Sequence, residues 1–188
     1  MYKTCHTEES SLRQRTLEAA LLQEMQTLPY GKITLTSLCH RLQIPRKTLY
    51  RYFPTQDDCL LALIDHTLSD CNTIALTGWN GDGHLQLQNL ERFFTYWHQQ
   101  KPFLDALRDN DLRYLLLDRT SAIVDTMKDP DRGDSFAQDQ VAYFIAHGLM
   151  SSVLRWHHHG FPCTPTEMAH AFASLLCHPE VDITRLIL

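Results

Sequence analysis

Residues that interrupt regular structure are scarce in this chain. Its 188 residues include seven glycines and eight prolines, which gather at breaks such as residues 29–31, 78–83 and 160–165. No stretch shows the apolar–polar alternation of strands joined by hairpin turns, and there is no internal repeat or low-complexity tract. The sequence therefore does not indicate a turn-rich β-sandwich or barrel and predicts an all-α fold.

Long apolar segments are also missing. No apolar run approaches the ~18 residues of a membrane-spanning helix, and the first nine residues lack the apolar core of a signal peptide. The six cysteines contain no C-x-x-C pair, so we expect small buried hydrophobic residues in a reducing compartment. These absences predict a cytoplasmic protein that does not contact a membrane.

Motifs of catalysis are absent as well. The sequence has no Gly-rich nucleotide loop, no paired-histidine zinc helix and no nucleophile elbow. We therefore expect no enzymatic activity, no catalytic residue and no cofactor. His157, His158 and His159 with Cys163 can suggest a metal site. Because consecutive helical residues point about 100° apart, we favour a solvated helix end for the three histidines and predict no metal.

Negative charge is missing from one stretch. Residues 25–56 contain no aspartate or glutamate, although they contain the five cations Lys32, Arg41, Arg46, Lys47 and Arg51. Through residue 53 the chain has eight cations and four carboxylates, whereas the remainder has nine cations and eighteen carboxylates. A basic N-terminal part on an acidic body predicts a polyanionic partner for the N-terminal part only.

The acid-free stretch reads as two short helices joined by a tight turn. A first helix is predicted over residues 9–28. Thr34 then suits the N-cap of a second helix that ends near Leu42, because its hydroxyl can accept an orphan backbone N–H. Pro45 follows the turn and suits the start of a third helix, which ends before Pro54. This arrangement is typical of a helix-turn-helix.

Residues 38–60, which read LCHRLQIPRKTLYRYFPTQDDCL, resemble the DNA-binding signature of TetR-type transcriptional regulators. The resemblance covers about residues 13–63 and includes an aromatic ending before the fourth helix. Two positions depart from the family pattern, namely Gln43, where a glycine is usual, and Gln56, where a lysine is frequent. A left-handed conformation at Gln43 would cost about 1 kcal/mol, and the neutral Gln56 predicts a shallower salt dependence.

The resemblance implies a three-helix DNA-binding domain at residues 1–54, which binds a pseudo-palindromic double-stranded operator. A recognition helix presents its N-terminal residues to base edges, while neighbouring groups hold phosphates. Arg46 and Lys47 suit guanine, and Thr48 suits a thymine methyl group or a phosphate. The predicted DNA-binding residues are Thr34, Thr36, Ser37, Arg46, Lys47, Thr48, Tyr50, Arg51, Tyr52 and Gln56.

Residues 55–188 are predicted to form a helical effector-binding and dimerisation domain. Apolar periodicity indicates helices over residues 57–76, 84–99, 112–127, 135–159 and 166–177, with a short helix opened by Pro102. A pocket for an unknown small molecule is expected among them. Its candidate lining is Phe93, Phe94, Trp97, Phe103, Tyr114, Leu117, Met127, Tyr143 and His147, although aromatic residues at helical spacing are more often plain core.

Residues 144–169, which read FIAHGLMSSVLRWHHHGFPCTPTEMA, resemble the penultimate helix, turn and last helix of a TetR subgroup that includes proteins similar to the dihydroxyacetone-kinase activator. The resemblance implies a homodimer built through these helices, whereas the alternative is that they pack only within one chain. The predicted interface consists of Val141, Ile145, Leu149, Ser152, Trp156, Met168, Phe172 and Leu175.

The functional hypothesis is a TetR-like transcriptional regulator, with repressor as the favoured direction, that a small-molecule effector controls. The first alternative is a TetR-like coactivator that works through protein contacts without operator binding. The second is a His/Cys metal or thiol sensor, or a small metalloenzyme. The sequence leaves the effector, the operator and the direction of regulation open.

Overall fold

The computed structural model describes Tyr2, Cys5 and residues 7–75, 87–126 and 136–177. Within these residues nine α-helices and one 3-10 turn occur and no β-strand, which confirms the predicted all-α fold. Most predicted helix ends lie within three residues of the observed ones. The helices are α1 (Glu8–Met25), α2 (Leu35–Leu42), α3 (Arg46–Tyr50), α4 (Gln56–Ala75), α5 (Leu87–Gln99), α6 (Lys101–Asp109), α7 (Arg113–Thr126), α8 (Phe136–His158) and α9 (Pro165–Cys177).

Polar caps fix where the N-terminal helices begin. Thr34 accepts a hydrogen bond from the backbone N–H of Ser37 at 3.0 Å, and the Thr34 N–H donates to the Ser37 hydroxyl at 3.1 Å. Thr7 and Ser10 form the same reciprocal pair at the start of α1. Such a capping box satisfies two orphan donors at once, so the predicted cap at Thr34 is confirmed.

Helices α1, α2 and α3 form a small three-helix unit, which we call the head. Leu21, Leu38, Leu49 and Phe53 are fully buried in its centre. Leu28, which the sequence places on the apolar face of the first helix, is exposed instead. The reason is that α1 ends at Met25, and the helical period does not continue into the turn that follows.

Helix α4 joins the head to the remaining helices, which we call the body. It packs against α1, α5 and α7. Arg119 of α7 donates two hydrogen bonds to the Asp65 carboxylate, at 2.6 and 2.7 Å, and His66 lies 2.9 Å from Glu18 of α1. One apolar core runs from Phe53 in the head into α4 and beyond, and the domain division after residue 54 stays a prediction.

Aromatic side chains fill the centre of the body. Helix α5 packs closely against α9, and α8 packs against α7. The Phe94 ring centroid lies 5.9 Å from that of Trp156 and 5.3 Å from that of Phe172. Trp97 is fully buried as well, and its ring centroid lies 6.4 Å from that of Phe103. Among the described helices, none combines the length and the apolar character that crossing a membrane requires.

Candidate nucleic-acid interface

The turn between α2 and α3 sets the orientation of the third helix. Gln43 has φ 52° and ψ 39°, which is the left-handed conformation. Its N–H donates to the His40 carbonyl at 3.2 Å, and the Ile44 N–H donates to the Cys39 carbonyl at 3.1 Å. These two bonds form a Schellman motif, which closes α2 and normally uses glycine at the left-handed position. The structure therefore places a glutamine at a site that suits glycine.

Helix α3 presents its charged side outward. Arg46 and Lys47 are exposed, Thr48 is half-buried, and Leu49 is fully buried in the head. Pro45 occupies the N-cap position of α3 in an extended conformation, as its place before the helix predicts. The alternation of exposed cations with a buried leucine turns one face of the helix to the core and one face to the outside.

Most cations in the acid-free stretch keep their charge uncompensated. Of the five, only Arg41 has a carboxylate partner in the described part of the chain, with its Nη1 atom 3.7 Å from Oε1 of Glu24. Lys32, Arg46 and Lys47 are exposed, as is Arg51. Unpaired cations on one surface attract a polyanion, because no internal carboxylate has to be displaced when a phosphate approaches.

Two aromatic residues at the end of α3 differ in exposure. Tyr50 is 48% exposed, as a residue that contacts DNA must be. Tyr52, which the sequence predicts to hold the DNA backbone, is only 2% exposed and belongs to the core. The prediction of a direct Tyr52 contact is therefore wrong, because α3 ends at Tyr50 and the chain then turns Tyr52 inward.

The predicted phosphate ligands at the start of α2 are partly occupied by the capping box. Thr34 is exposed, whereas Thr36 and Ser37 are half-buried. The Ser37 hydroxyl donates to the Thr34 carbonyl at 2.7 Å and also lies 3.3 Å from Oε2 of Glu24. The geometry consequently leaves the Thr34 side chain and backbone groups more accessible than the Ser37 hydroxyl.

Gln56 and Tyr30 form a junction between the head and α4. The Gln56 side-chain amide donates to the Tyr30 carbonyl at 2.8 Å, so it already has a protein partner at the place where a DNA contact is predicted. The Tyr30 hydroxyl donates to Asp57 at 2.6 Å. Burial and this bond raise the pKa of Tyr30 above its usual value.

Asn110 fastens the same junction to the body. Its side-chain oxygen accepts a hydrogen bond from the Tyr30 backbone N–H at 2.5 Å, and its amide group donates to the Ala106 carbonyl of α6 at 2.8 Å. Sequence reasoning did not single out Tyr30 or Asn110. No local pattern marks this pair, because the two residues are eighty positions apart.

Among the described residues, the predicted pocket residues are not the ones that line the surface cleft of the protein. Phe94, Trp97 and Phe103 are fully buried by their neighbours, and Phe93 and Leu117 are half-buried. Tyr114 is 62% exposed, so its prediction as a pocket residue is wrong. Met127 lies outside the described residues. A surface cleft of about 350 Å³ is lined by other residues, namely Ile74, Gln88, Glu91, Arg92, Thr95, Tyr96 and Gln99.

Tyr143 and His147 meet polar neighbours on α7 rather than a cavity. The His147 Nε2 atom lies 3.0 Å from the Ser121 hydroxyl, and its Nδ1 atom lies 2.9 Å from the Tyr143 carbonyl. The Tyr143 hydroxyl donates to Asp125. The contacts with Ser121 and Asp125 join α8 to α7, and each of the two side chains has a protein partner.

The predicted dimer residues are divided between the outer face and the core. Val141 and Leu175 are exposed, while Ile145, Leu149, Ser152, Met168 and Phe172 are half-buried. Trp156 is 4% exposed, and its indole N–H donates to the Cys163 carbonyl at 3.1 Å. Its prediction as an interface residue is wrong, because the ring packs inside its own chain. The exposed face of α8 instead carries Ala137, Val141, Phe144, Gly148, Ser151 and Arg155.

The predicted environment of His157 is also wrong. Its side chain is 2% exposed rather than solvated, and its Nε2 atom lies 2.9 Å from Asp105 of α6. His158 and His159 are exposed as expected. The three histidines therefore diverge, and the described residues contain no cluster of three or more metal-ligating side chains.

The buried thiols are poor candidates for a redox sensor. Cys59 and Cys71 are buried in α4. Burial raises the pKa of Cys71 to about 12 and also raises the pKa of Cys59. Because the thiolate is the reactive form, these two cysteines act as small apolar core residues.

The chain resembles known proteins in its fold rather than in its sequence. No protein-family model matches the chain, and no curated protein matches its sequence. Among solved structures, the fatty acid degradation regulator FadR from Bacillus halodurans superposes with a TM-score of 0.60 at 14% identity, over 95% of this chain and 99% of that one. A tetR-family transcriptional regulator from Streptomyces coelicolor superposes with a TM-score of 0.52 at 18% identity, over 91% and 82%.

The chain has the TetR-family fold. The match extends through head and body alike, because more than nine-tenths of the chain is covered in both superpositions. In the TetR-like fold of this chain, α2 and α3 form the helix-turn-helix at one end, and α8 with α9 lies in the body. Superpositions at 14% and 18% identity show the architecture alone, so the roles of individual residues have to be argued from the chain itself.

Proposed function

We propose that this protein is a DNA-binding transcriptional regulator and that α3 enters the major groove of its operator. One observation carries the proposal. Arg46 and Lys47 at the N-terminus of α3 are exposed and have no carboxylate partner among the described residues, and they lie in a stretch of sequence without aspartate or glutamate. The first turn of a recognition helix is where base edges are contacted. Residues 1–54 form the DNA-binding domain in this proposal.

The exposed side chains divide into two roles. Arg46 and Lys47 reach base edges, where a bidentate pair with guanine is worth about 1–3 kcal/mol of discrimination. Tyr50 and Arg51 hold the phosphate backbone, together with the exposed N-cap residue Thr34. Phosphate contacts fix the register of the protein but carry no sequence information directly. Tyr52 and Gln56 leave the set of direct contacts, because protein atoms already surround or engage them.

The experiment compares Arg46→Ala with Arg13→Ala on DNA from the promoter region next to the gene. Both variants lose one positive charge from the head, but Arg13 is paired with Glu9 at 3.0 Å on α1. We expect Arg46→Ala to weaken binding to the preferred sequence roughly tenfold or more. The ratio of its affinity for the preferred sequence to its affinity for random DNA should fall as well. Arg13→Ala should bind nearly as the parent does, in fluorescence anisotropy titrations.

Two outcomes would argue against this function. Equal losses in both variants would mean that net charge alone drives binding. A parent protein that binds no duplex DNA would favour the TetR-like coactivator that acts through protein contacts.

We infer further that two copies pair through α8 and α9. The exposed face of α8 has apolar residues at Val141 and Phe144 and small residues at Gly148 and Ser151, so a second helix can approach closely. A Cβ atom added at Gly148 would meet nothing within 4 Å in the single chain. A pair of heads would then read a pseudo-palindrome whose half-sites are spaced by about 34–36 Å or more.

The same proposal includes an effector and a repressor role. A small molecule bound in the body would act by favouring one separation of the two heads, which requires different affinities for the two states. The Tyr30 junction supports this coupling, because it bonds the head directly to α6 through Asn110. A small-molecule library screened by melting temperature tests it. A compound that stabilises the protein and also releases it from DNA is the expected result.

A further inference from the structure

Tyr52 is a buried residue whose hydroxyl group contacts the guanidinium of Arg51. Its ring belongs to the core of the head, next to Phe53, and its side chain is 2% exposed. The Arg51 Nη2 atom donates to the Tyr52 hydroxyl at 3.3 Å, and the guanidinium carbon lies 5.2 Å from the centre of the Tyr52 ring. The guanidinium is therefore held both by the hydroxyl oxygen and by the face of an aromatic ring.

Arg51 differs from the other arginines of the head in the kind of group that it contacts. Arg13, Arg15 and Arg41 of the head are paired with Glu9, Asp70 and Glu24 respectively. Arg51 has no carboxylate within ion-pair distance among the described residues, and its anchor is a neutral phenol. A neutral anchor restricts the orientation of the side chain but leaves its positive charge available.

We propose that Tyr52 is a positioning residue that holds the Arg51 guanidinium ready to bind a DNA phosphate. The inference rests on the proposed DNA-binding function and extends it to a residue that does not itself touch DNA. A free arginine side chain loses substantial rotamer freedom when it is fixed, and an anchor formed in advance reduces that loss on binding. Because Tyr52 is fixed by the core, the position that it gives to Arg51 is fixed as well.

The experiment is a double-mutant cycle on Arg51 and Tyr52. The parent, Tyr52→Phe, Arg51→Ala and the double variant are titrated against a fluorescein-labelled duplex of random sequence, at several salt concentrations. Tyr52→Phe removes only the hydroxyl, and we expect about three- to tenfold weaker binding in the parent background. We expect no further weakening when the same change is made in the Arg51→Ala background.

The salt dependence separates positioning from general damage. Arg51→Ala should lower the slope of log K against log salt by about one, as the loss of one phosphate contact requires. Melting temperatures of all four proteins, with titrations run well below the lowest of them, keep unfolded protein out of the comparison. Tyr96→Phe is the matched control, since it removes a hydroxyl bond to the Thr67 carbonyl between α5 and α4, and it should bind DNA as the parent does.

Equal weakening by Tyr52→Phe in both backgrounds would overturn the proposal, because the hydroxyl would then act without Arg51. An unchanged salt slope in Arg51→Ala would overturn it too, since Arg51 would not be at a phosphate. Both results can occur while Arg46→Ala still loses sequence preference, and in that case the proposed regulator function stands. A parent that binds no duplex would overturn the function and the positioning role together.

Discussion

Gln43 holds a backbone conformation that most residues avoid. Its φ of 52° brings the side chain close to its own carbonyl group, which costs an L-residue about 1–2 kcal/mol relative to the right-handed region. Glycine lacks the Cβ atom and adopts this conformation without that cost. The two hydrogen bonds that close α2 require the left-handed geometry, so the protein keeps the turn at the expense of stability.

Replacing Gln43 by glycine should therefore stabilise the protein. We expect Gln43→Gly to raise the free energy of unfolding by up to about 1 kcal/mol, the remainder being offset by the greater freedom of glycine in the unfolded chain. Gln43→Ala keeps the Cβ atom and should change stability by less than about 0.5 kcal/mol. Urea denaturation followed by circular dichroism measures both. Equal stabilities for the two variants would contradict strain at this turn.

Residue-level prediction from the sequence succeeded where chain geometry constrains a position. The family resemblance, in which glycine is usual at position 43, indicates a left-handed conformation at Gln43, and the capping pattern predicts Thr34 as an N-cap. It failed at Tyr52, because α3 ends at Tyr50 and helical periodicity no longer says which of two neighbouring tyrosines points inward. Asn110 was out of reach, since its partner is distant in the sequence.

At the level of elements, α6 is held by polar contacts at its C-terminal end and at its middle. Near its C-terminal end Asn110 bonds to the head, and along its length Asp105 meets His157 of α8. Lys101 and Arg108 also contact Asp105, at 2.6 and 3.0 Å. Burial lowers the pKa of His157, although Asp105 acts in the opposite direction. For Asp105 itself, burial would raise the pKa, but the bonds from Lys101 and His157 outweigh it and the pKa is lowered.

These shifts predict how stability depends on pH. A histidine whose pKa is lower in the folded protein stabilises it above the ordinary value of about 6.5, and this stabilisation is lost as the pH falls through that value. The carboxyl of Asp105 loses its contribution only at more acidic pH, near and below its own ordinary pKa. Between pH 7 and pH 5, His157 therefore contributes a fall in stability that Asp105 does not.

His157→Gln should flatten this dependence while it keeps a donor for Asp105. We expect the free energy of unfolding to fall less from pH 7 to pH 5 in His157→Gln than in the parent, as measured by urea denaturation at each pH. His158→Gln, at an exposed neighbouring position, should follow the parent curve. Parallel curves for the parent and His157→Gln would show that the buried imidazole does not govern stability in this range.

Helix α8 shows why it is easier to predict that a helix exists than to predict which of its faces is exposed. Its length and ends are predicted to within about one residue, but the predicted interface stripe is rotated from the exposed face by roughly 80°, at about 100° per residue. Apolar residues occur nearly all around this helix, so the sequence has no polar face that would fix its rotation. The buried side of α8, with Met150, Val153 and Trp156, is decided by α5, α6 and α7.

At the scale of the whole molecule, an exposed apolar surface remains on the acidic body. Phe144 is 76% exposed, and Phe136 and Val141 lie exposed on the same helix. Exposed apolar groups of this size commonly mark an interface with another protein. These residues belong to α8, whereas the exposed cations Arg46, Lys47 and Arg51 belong to the head, so the proposed pairing through α8 does not use the residues proposed to contact DNA.

Pairing can be tested with one charge. We expect Phe144→Arg to raise the dimer dissociation constant by roughly thirtyfold or more, because hot-spot side chains contribute about 2 kcal/mol or more and a buried unpaired charge opposes association. Leu12→Arg adds the same charge at another exposed apolar residue, on α1, and should leave the assembly intact. Sedimentation velocity over a concentration series measures both. A parent protein that stays monomeric throughout would contradict pairing.

The way in which Asn110 holds the head has a consequence for exchange of the DNA-reading residues. The atom that it holds is a main-chain N–H, which every residue except proline supplies at position 30. This hydrogen bond therefore does not depend on which side chains the head carries. A transplanted segment with different amino acids on α3 would keep the same bond to Asn110, so under the proposed function this chain would be a suitable host for altered operator preference.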